Sequence, residues 1–320
     1  MKLVDILNLE DRSTWDIAKQ CGIKECVLKL PETDFDVTDF SQMLGLYNKF
    51  ASDDLKPIVI EPMPNYLHEH IKTGDKKRDE SIEKVIKMFA NLDKLDIRTI
   101  CFNWMAYVGW TRTNNNILER GGAKVTGFNY KEYEQKGNSI IGYANNKDKI
   151  DEKSLWQNYE YFIKAVVPFA EKYNIKLALH PDDPPINDMC GVNRILTSYK
   201  NIERAMNVVK SDNLGLTFCQ AVYYLMGENI YELVPKIKDK IYFIHFRNVI
   251  GNKYDFRETF HDNGEIDMAK MIKIYKENNI DVPIRVDHVP TLVNEDAINA
   301  GYGNLGRLYA IGYLKGLLES

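Results

Sequence analysis

Four residues of the kinds that bind metal ions directly follow four short apolar segments of this chain. Each segment is a candidate buried strand, because it is bounded by turn-forming residues and followed by a helical pattern. The segments are Ile175–Leu179, Leu214–Phe218, Ile241–Ile244 and Val282–Val286, and the residues that follow them are His180, Cys219, His245 and Asp287. In a parallel α/β barrel all strands end at one face, where catalytic groups collect. The pattern therefore predicts a single metal site built from these four side chains.

A further histidine, His288, stands next to Asp287. Neighbours in an extended chain face opposite ways, so the two side chains are not both expected to bind the same ion. The natural division is one metal ligand and one acid/base group. Histidine has an unperturbed pKa of about 6.5 and can move protons at neutral pH.

Three other polar residues are assigned to substrate binding. Arg247 follows the segment that ends at His245, and its planar guanidinium suits bidentate recognition of a carboxylate. A structural ion pair near the barrel mouth is an equally good interpretation of this arginine. His261, in a polar loop on the same face, would contact the substrate or the metal surroundings, or stabilise the loop by a hydrogen bond. Asn103 directly follows the strand that ends at Phe102.

Short apolar strands alternate with longer helical patterns about eight times along the chain. The four earlier candidate strands are Lys2–Leu7, Glu25–Leu30, Pro57–Ile60 and Arg98–Phe102. The first of them is also compatible with an irregular lead-in. Connections long enough for a helix favour parallel crossovers over hairpins. The sequence therefore predicts an α/β protein, a (β/α)8 TIM barrel, with residues 1–320 forming one catalytic domain.

A long insertion, from about residue 104 to residue 151, separates the fourth strand from its helix. Connections of this length in compact domains are commonly functional covers or contain elements of their own. The segment is interpreted as a lid over the catalytic face, and Arg112 within it is predicted to reach the substrate carboxylate on closure. Exchange of Arg112 is then expected to reduce turnover with little effect on stability. A surface excursion or an oligomer contact is the alternative.

The overall composition indicates a soluble enzyme that acts on small molecules. At 320 residues and 44% hydrophobic content, the chain is long enough for one substantial core. A formal net charge of −4 gives no broad attraction for nucleic acid or for an anionic membrane. The five cysteines form no Cys-x-x-Cys pair, and the first residues become charged too early for a signal peptide. Reduced thiols and a cytoplasmic location are expected.

Several long motifs of this chain closely resemble the mannonate dehydratase family. The motifs are IKTGDKKRDESI, WTRT, HPDDPP, GLTFCQ, the run from IHFRNV through FRETFHDNGEIDM, RVDHVPTL and GRLYAIGYLKGLLES. The resemblance is nearly continuous from about His68 to the end and weak before residue 60. One segment departs from the family pattern, which has proline after the methionine and aspartate before the tryptophan: this chain has Ala106 and Gly109 at those positions.

The resemblance implies a barrel of the xylose-isomerase-like kind and a divalent metal ion, usually Mn²⁺. It implies loss of water from D-mannonate to give 2-dehydro-3-deoxy-D-gluconate, a step of hexuronate and glucuronate catabolism. The family's metal ligands correspond to His180, Cys219, His245 and Asp287, and its acid/base residues to His288 and Tyr302. Tyr302 is assigned on this resemblance alone. By its chemistry the ligand set also suits Fe²⁺ or Zn²⁺.

Two other functions are compatible with the same residues. A metal-dependent sugar or sugar-acid isomerase or epimerase would share the enolisation step and release an isomer without losing water. A noncatalytic sugar-acid-binding protein would bind metal and ligand without turnover. A homo-oligomer is compatible with the sequence, and partners other than the small-molecule sugar acid are not expected.

Overall fold

Eight parallel strands form a closed barrel in the computed structural model, which describes residues 1–136, 148–295 and 300–320. The barrel strands are β1 (Lys2–Leu7), β2 (Glu25–Leu28), β3 (Lys56–Ile60), β4 (Thr99–Phe102), β7 (Lys176–Leu179), β8 (Leu214–Cys219), β9 (Ile241–Phe246) and β12 (Pro283–Val286). Neighbouring strands follow the order β1, β12, β9, β8, β7, β4, β3, β2. The predicted (β/α)8 TIM barrel is confirmed, including β1, which pairs with both β2 and β12.

Helices connect the strands and pack on the outside of the barrel. They are α1 (Arg12–Gln20), α2 (Phe40–Ala51), α3 (Asn65–Thr73), α4 (Arg78–Lys94), α5 (Tyr130–Lys136), α6 (Glu152–Lys172), α7 (Tyr199–Met206), α8 (Gln220–Leu225), α9 (Ile230–Ile237), α10 (Met268–Glu277) and α11 (Asn304–Glu319), with short 3₁₀ turns at Arg120–Gly122 and Lys238–Lys240. None of the helices in the described ranges is long and apolar enough to cross a membrane.

The helix α6 illustrates how sequence determines the outer layer. The Asp151 side chain accepts a hydrogen bond from the Ser154 backbone N–H at 2.7 Å and so begins the helix. The apolar stripe that includes Leu155, Phe162 and Val166 is fully buried, as its spacing predicts. Burial of this face against the barrel is what stabilises the helix.

A layer of apolar side chains fills the barrel interior on the side away from the carboxyl ends of the strands. Its members are Val4, Val27, Val59, Cys101, Ala178 and Phe243. Side chains along a strand alternate between the two faces of the sheet, so the next inward-facing position lies two residues further along each strand. These positions include Glu61, Asn103, His180 and His245, which line a cavity at the carboxyl ends of the strands. The apolar layer therefore supports the polar groups above it.

The insertion forms part of a second, smaller sheet. Its strands β5 (Asn114–Leu118) and β6 (Lys124–Asn129) join β10 (Val249–Asn252) and β11 (Asp255–Glu258), which belong to the connection after β9. The sheet has the order β10, β11, β6, β5 and all its neighbours are antiparallel. Residues 137–147 of the insertion lie outside the described residues. The lid interpretation stays a prediction, and what the described part shows is a paired sheet.

Candidate metal centre and active site

Three of the four predicted ligands meet at one point of the barrel mouth. One ligand atom each of His180, Cys219 and His245 lie within 4.8 Å of one another. Cys219 and His245 are register partners in β8 and β9, so both belong to the strands themselves. Strand β8 continues one residue, and β9 two residues, beyond the end predicted from sequence. The His180 backbone N–H donates to the carbonyl of Phe102 at 2.7 Å, which fixes the residue as it leaves β7.

Asp287 lies beside this group. Its Oδ2 is 3.6 Å from Nδ1 of His245, and its Oδ1 accepts a hydrogen bond from Nη1 of Arg285 at 2.8 Å. The structure thus places the fourth predicted ligand next to one of the other three, His245, with a carboxylate oxygen turned towards its ring.

The residues present fit a metal ion. Nδ1 of His245 is buried without a hydrogen bond of good geometry to a described residue, which is costly unless a cation binds there. On His180, Nδ1 lies 2.6 Å from the Pro181 carbonyl oxygen, so a proton on Nδ1 leaves Nε2 available as a ligand. Arg247 directs Nη1 towards Sγ of Cys219 at 3.6 Å.

Glu61 and Arg285 support the metal ligands, and both were missed from the sequence. Glu61 Oε1 lies 2.9 Å from Nε2 of His245, and its carboxylate accepts bonds of 2.8 and 3.0 Å from Arg285. Burial alone would raise the pKa of Glu61, but the charges of Arg285 and His245 outweigh it and hold that pKa well below its usual range. Glu61 directly follows β3, one of the four earlier strands. A search for metal-type residues at the ends of these strands, as was made for the four later ones, would have found it.

His288 connects a carboxylate to a tyrosine. Its Nδ1 lies 3.0 Å from Oε1 of Glu258 and its Nε2 lies 3.1 Å from the hydroxyl oxygen of Tyr302. The backbone φ of His288 is 38°, a left-handed conformation that is uncommon outside glycine and often found at functional sites. Burial raises the pKa of Tyr302 above its usual range. The two acid/base candidates are therefore in direct contact.

Arg112 and Arg247 form a buried ion-pair cluster with Asp183 and Glu258. Both arginines are 0% exposed. Every guanidinium nitrogen of the two donates to one of the two carboxylates, at distances from 2.6 to 3.2 Å. This geometry agrees with the ion-pair interpretation of Arg247, and it extends that interpretation to Arg112.

The two remaining substrate candidates occupy different surroundings. Asn103 lines the cavity, and its Oδ1 accepts a bond from the Met105 N–H at 3.1 Å. His261 is fully buried outside the cavity lining, with Nε2 2.7 Å from the Phe246 carbonyl oxygen, and burial lowers its pKa to about 4. For His261 the loop-stabilising interpretation accounts for the geometry.

A cavity of about 750 Å³ is lined by three of the four metal-ligand candidates and by the acid/base pair. Its lining includes His180, His245, Asp287, His288 and Tyr302. A volume of this order is typical of pockets that enclose a small molecule. A metal ion, a proton donor and a proton acceptor on one face of a small substrate can carry out enolisation beside a carboxylate.

Comparison with known proteins identifies the family. The model of the family D-mannonate dehydratase (UxuA) matches residues 10–142 and 138–320. The mannonate dehydratase of Streptococcus equi subsp. zooepidemicus is 33% identical over 306 residues, covering 87% of this chain and 82% of its own length. That of Oceanobacillus iheyensis is 30% identical over 305 residues, covering 89% and 86%.

Solved structures extend the same conclusion. The mannonate dehydratase from Streptococcus suis serotype 2 superposes with a TM-score of 0.86 and 28% identity over 100% of this chain and 93% of its own. D-Psicose 3-epimerase from Clostridium cellulolyticum H10 has a TM-score of 0.62, 14% identity and full coverage of both chains, a likeness of fold alone. By its sequence, this chain belongs to the mannonate dehydratase family.

Proposed function

We propose that this protein is a metal-dependent hydro-lyase that converts D-mannonate to 2-dehydro-3-deoxy-D-gluconate and water, in hexuronate breakdown. One observation carries the proposal. In a member of the mannonate dehydratase family, three metal-type side chains, His180, His245 and Asp287, line the same cavity as the His288–Tyr302 pair. The reaction needs both parts, because a proton leaves C2 while a hydroxyl leaves C3.

His180, Cys219, His245 and Asp287 would hold the metal ion, for which we propose Mn²⁺. When bound, the ion supplies a Lewis acid that withdraws charge from the substrate carboxylate and makes the C2 proton more acidic. Mn²⁺ rests on the family resemblance, since two histidines, a thiolate and a carboxylate also suit Zn²⁺ or Fe²⁺. Glu61 and Arg285 would keep His245 and Asp287 in place.

His288 and Tyr302 would move the protons. One of them takes the proton from C2, and the other gives a proton to the C3 hydroxyl, which leaves as water. The product enol then gains a proton at C3 and loses the proton of its C2 hydroxyl, which gives the 2-keto acid, so the reaction consumes no other reactant. The 3.1 Å contact between the two side chains supports an exchange of the proton between them.

Asn103 would contact the substrate directly, because it lines the cavity. Arg112 and Arg247 would contribute indirectly: their guanidinium nitrogens are engaged by Asp183 and Glu258, and a substrate carboxylate would have to displace one of these. We propose that segment 104–151 covers the barrel mouth and excludes water from the reaction.

The test is identification of the product. Incubation with D-mannonate and Mn²⁺, followed by NMR and mass spectrometry, should show a 2-keto-3-deoxy acid with the loss of one water per substrate. An isomer of unchanged mass would identify an isomerase or epimerase, and binding without conversion a sugar-acid-binding protein; either result would refute the proposal. The His288→Asn variant should retain the metal and lose turnover, whereas His70→Asn, at a partly exposed position away from the cavity, should resemble the parent.

A further inference from the structure

The active-site histidine is joined to the insertion through a buried carboxylate. Glu258 Oε1 receives hydrogen bonds of 2.6 Å from Nη2 of Arg112 and 2.6 Å from Nη2 of Arg247, and it lies 3.0 Å from Nδ1 of His288. Asp183 bridges the same two arginines at 2.8 to 3.0 Å. Two cations and two anions balance in this cluster, so Glu258 stays charged although it is only 1% exposed.

The charge of Glu258 determines which nitrogen of His288 carries the proton. Burial alone would raise the pKa of Glu258, but the guanidinium charges of Arg247 and Arg112 act the other way, and the pKa lies below its usual range. A carboxylate only accepts hydrogen bonds, so a 3.0 Å contact with Nδ1 requires a proton on Nδ1. Arg112 Nη2, 3.3 Å from Nδ1, already directs its two N–H groups to Asp183 and Glu258.

The opposite nitrogen then has a free lone pair. In a neutral imidazole with a proton on Nδ1, Nε2 is an acceptor. The group facing it at 3.1 Å is the Tyr302 hydroxyl, which can donate. Glu258, His288 and Tyr302 therefore form an ordered series in which the carboxylate sets the tautomer and the ring presents Nε2 to the hydroxyl.

The small sheet determines where Glu258 lies. Glu258 is the last residue of β11 and pairs with Val249 of β10, while Arg257 pairs with Gly127 of β6. A Cβ atom at Gly127 would lie 2.3 Å from Cδ1 of Ile117 and 2.9 Å from the Phe256 carbonyl oxygen. The strands of the insertion thus approach β11 as closely as a glycine permits.

We propose that Glu258 is a positioning residue that holds His288 with its proton on Nδ1. We further propose that the small sheet, which includes strands of the insertion, is the fixed scaffold that carries Glu258. The inference deepens the proposed function, on which the acid/base role of His288 rests. Glu258 touches no substrate; it acts through the histidine ring, as the carboxylate of a serine protease triad does. A fixed scaffold differs from a lid that opens and closes in each turnover.

The direct test is the tautomer of His288 in the unmodified protein. Histidine labelled with ¹⁵N distinguishes protonated from unprotonated ring nitrogens by NMR, and the His288→Gln variant assigns the signals. In mildly alkaline buffer, with diamagnetic Zn²⁺ bound, Nδ1 should be protonated and Nε2 unprotonated. An unprotonated Nδ1 or a proton on Nε2 would overturn the inference. This measurement needs no turnover, so it stands apart from whether D-mannonate is the substrate.

Kinetics provide the second test. Glu258→Gln keeps the shape and removes the charge, so kcat for dehydration should fall roughly 100-fold, with KM and metal content within about twofold of the parent. The control is Asp262→Asn, on the same connection as Glu258. This substitution removes an exposed ion pair with Arg120 and should leave kcat unchanged. A folded Glu258→Gln protein with normal kcat would also overturn the inference. Should this variant not fold, the tautomer of the parent protein decides alone.

Discussion

At the residue scale, Glu61 is a buried carboxylate that holds metal-ligand candidates in place without being one of the four proposed ligands. Its carboxylate contacts Nε2 of His245 and accepts hydrogen bonds from Nε and Nη2 of Arg285. Arg285 in turn donates to Asp287. Loss of its charge would release the His245 ring and leave Arg285 with one carboxylate instead of two. Groups that orient metal ligands in this way commonly change metal affinity by 10- to 100-fold.

We expect Glu61→Gln to weaken Mn²⁺ binding roughly 10- to 100-fold, measured by calorimetric titration of the metal-stripped protein. Glu10→Gln serves as the matched control, because Glu10 lines the same cavity from an exposed position. Unchanged Mn²⁺ affinity in Glu61→Gln would mean that Glu61 does not support the site.

Arg112 provides a second prediction at this scale, and the structure changes what is expected of it. From the sequence, its exchange should reduce turnover and leave stability nearly unchanged. The structure gives reason to expect a loss of stability as well, because the side chain is 0% exposed and paired with two buried carboxylates. We expect Arg112→Ala to lower the free energy of unfolding by about 3–5 kcal/mol as well as turnover.

Chemical denaturation of Arg112→Ala and Arg120→Ala side by side measures this effect. Arg120 lies in the same segment, and its ion pair with Asp262 is largely exposed; such a pair contributes about 0–1 kcal/mol. Equal stability of the two variants would contradict the buried-cluster description.

At the scale of elements, the small sheet links the insertion to the catalytic face. Replacing Gly127 by alanine places a Cβ against Ile117 and against the backbone of β11. The strand that carries Glu258 must then shift, so we expect Gly127→Ala to reduce both kcat and the melting temperature although residue 127 does not line the cavity.

The comparison for this prediction is Gly45→Ala, in α2, where an added Cβ meets nothing within 4 Å. Alanine is the better helix former by about 1 kcal/mol, so this variant should be at least as stable as the parent. Parent-like kcat in Gly127→Ala would show that the sheet tolerates displacement without affecting His288.

The barrel was predictable from the sequence because its strands are short, apolar and separated by helical patterns. Strand ends were less certain: pairing between Cys219 and His245 continues β8 and β9 beyond their apolar runs. In α11 the helical spacing of Leu308, Ile311, Leu314 and Leu318 predicts one buried face, but Leu308 is 43% exposed. The face that packs on the barrel contains Arg307, Ala310, Ile311 and Leu314, and Leu308 lies to one side of it.

For the whole molecule, strand-end positions predicted the metal-ligand candidates, whereas the surroundings of His288 depended on contacts between distant parts of the chain. Glu258 reaches His288 only because β6 and β11 pair, and local patterns do not specify that pairing. His288 itself could be singled out next to Asp287. Tyr302 carried no signal of its own apart from the family motifs.

We propose that one metal ion, held at the carboxyl ends of the barrel strands, makes this chain a dehydratase. The most direct measurement is formation of the 2-keto-3-deoxy acid from D-mannonate while Mn²⁺ is added stepwise to metal-stripped protein. We expect no product without metal and a rate that rises to a plateau at one ion per chain. Full activity of the metal-stripped protein, or no dehydration at any metal content, would contradict the account.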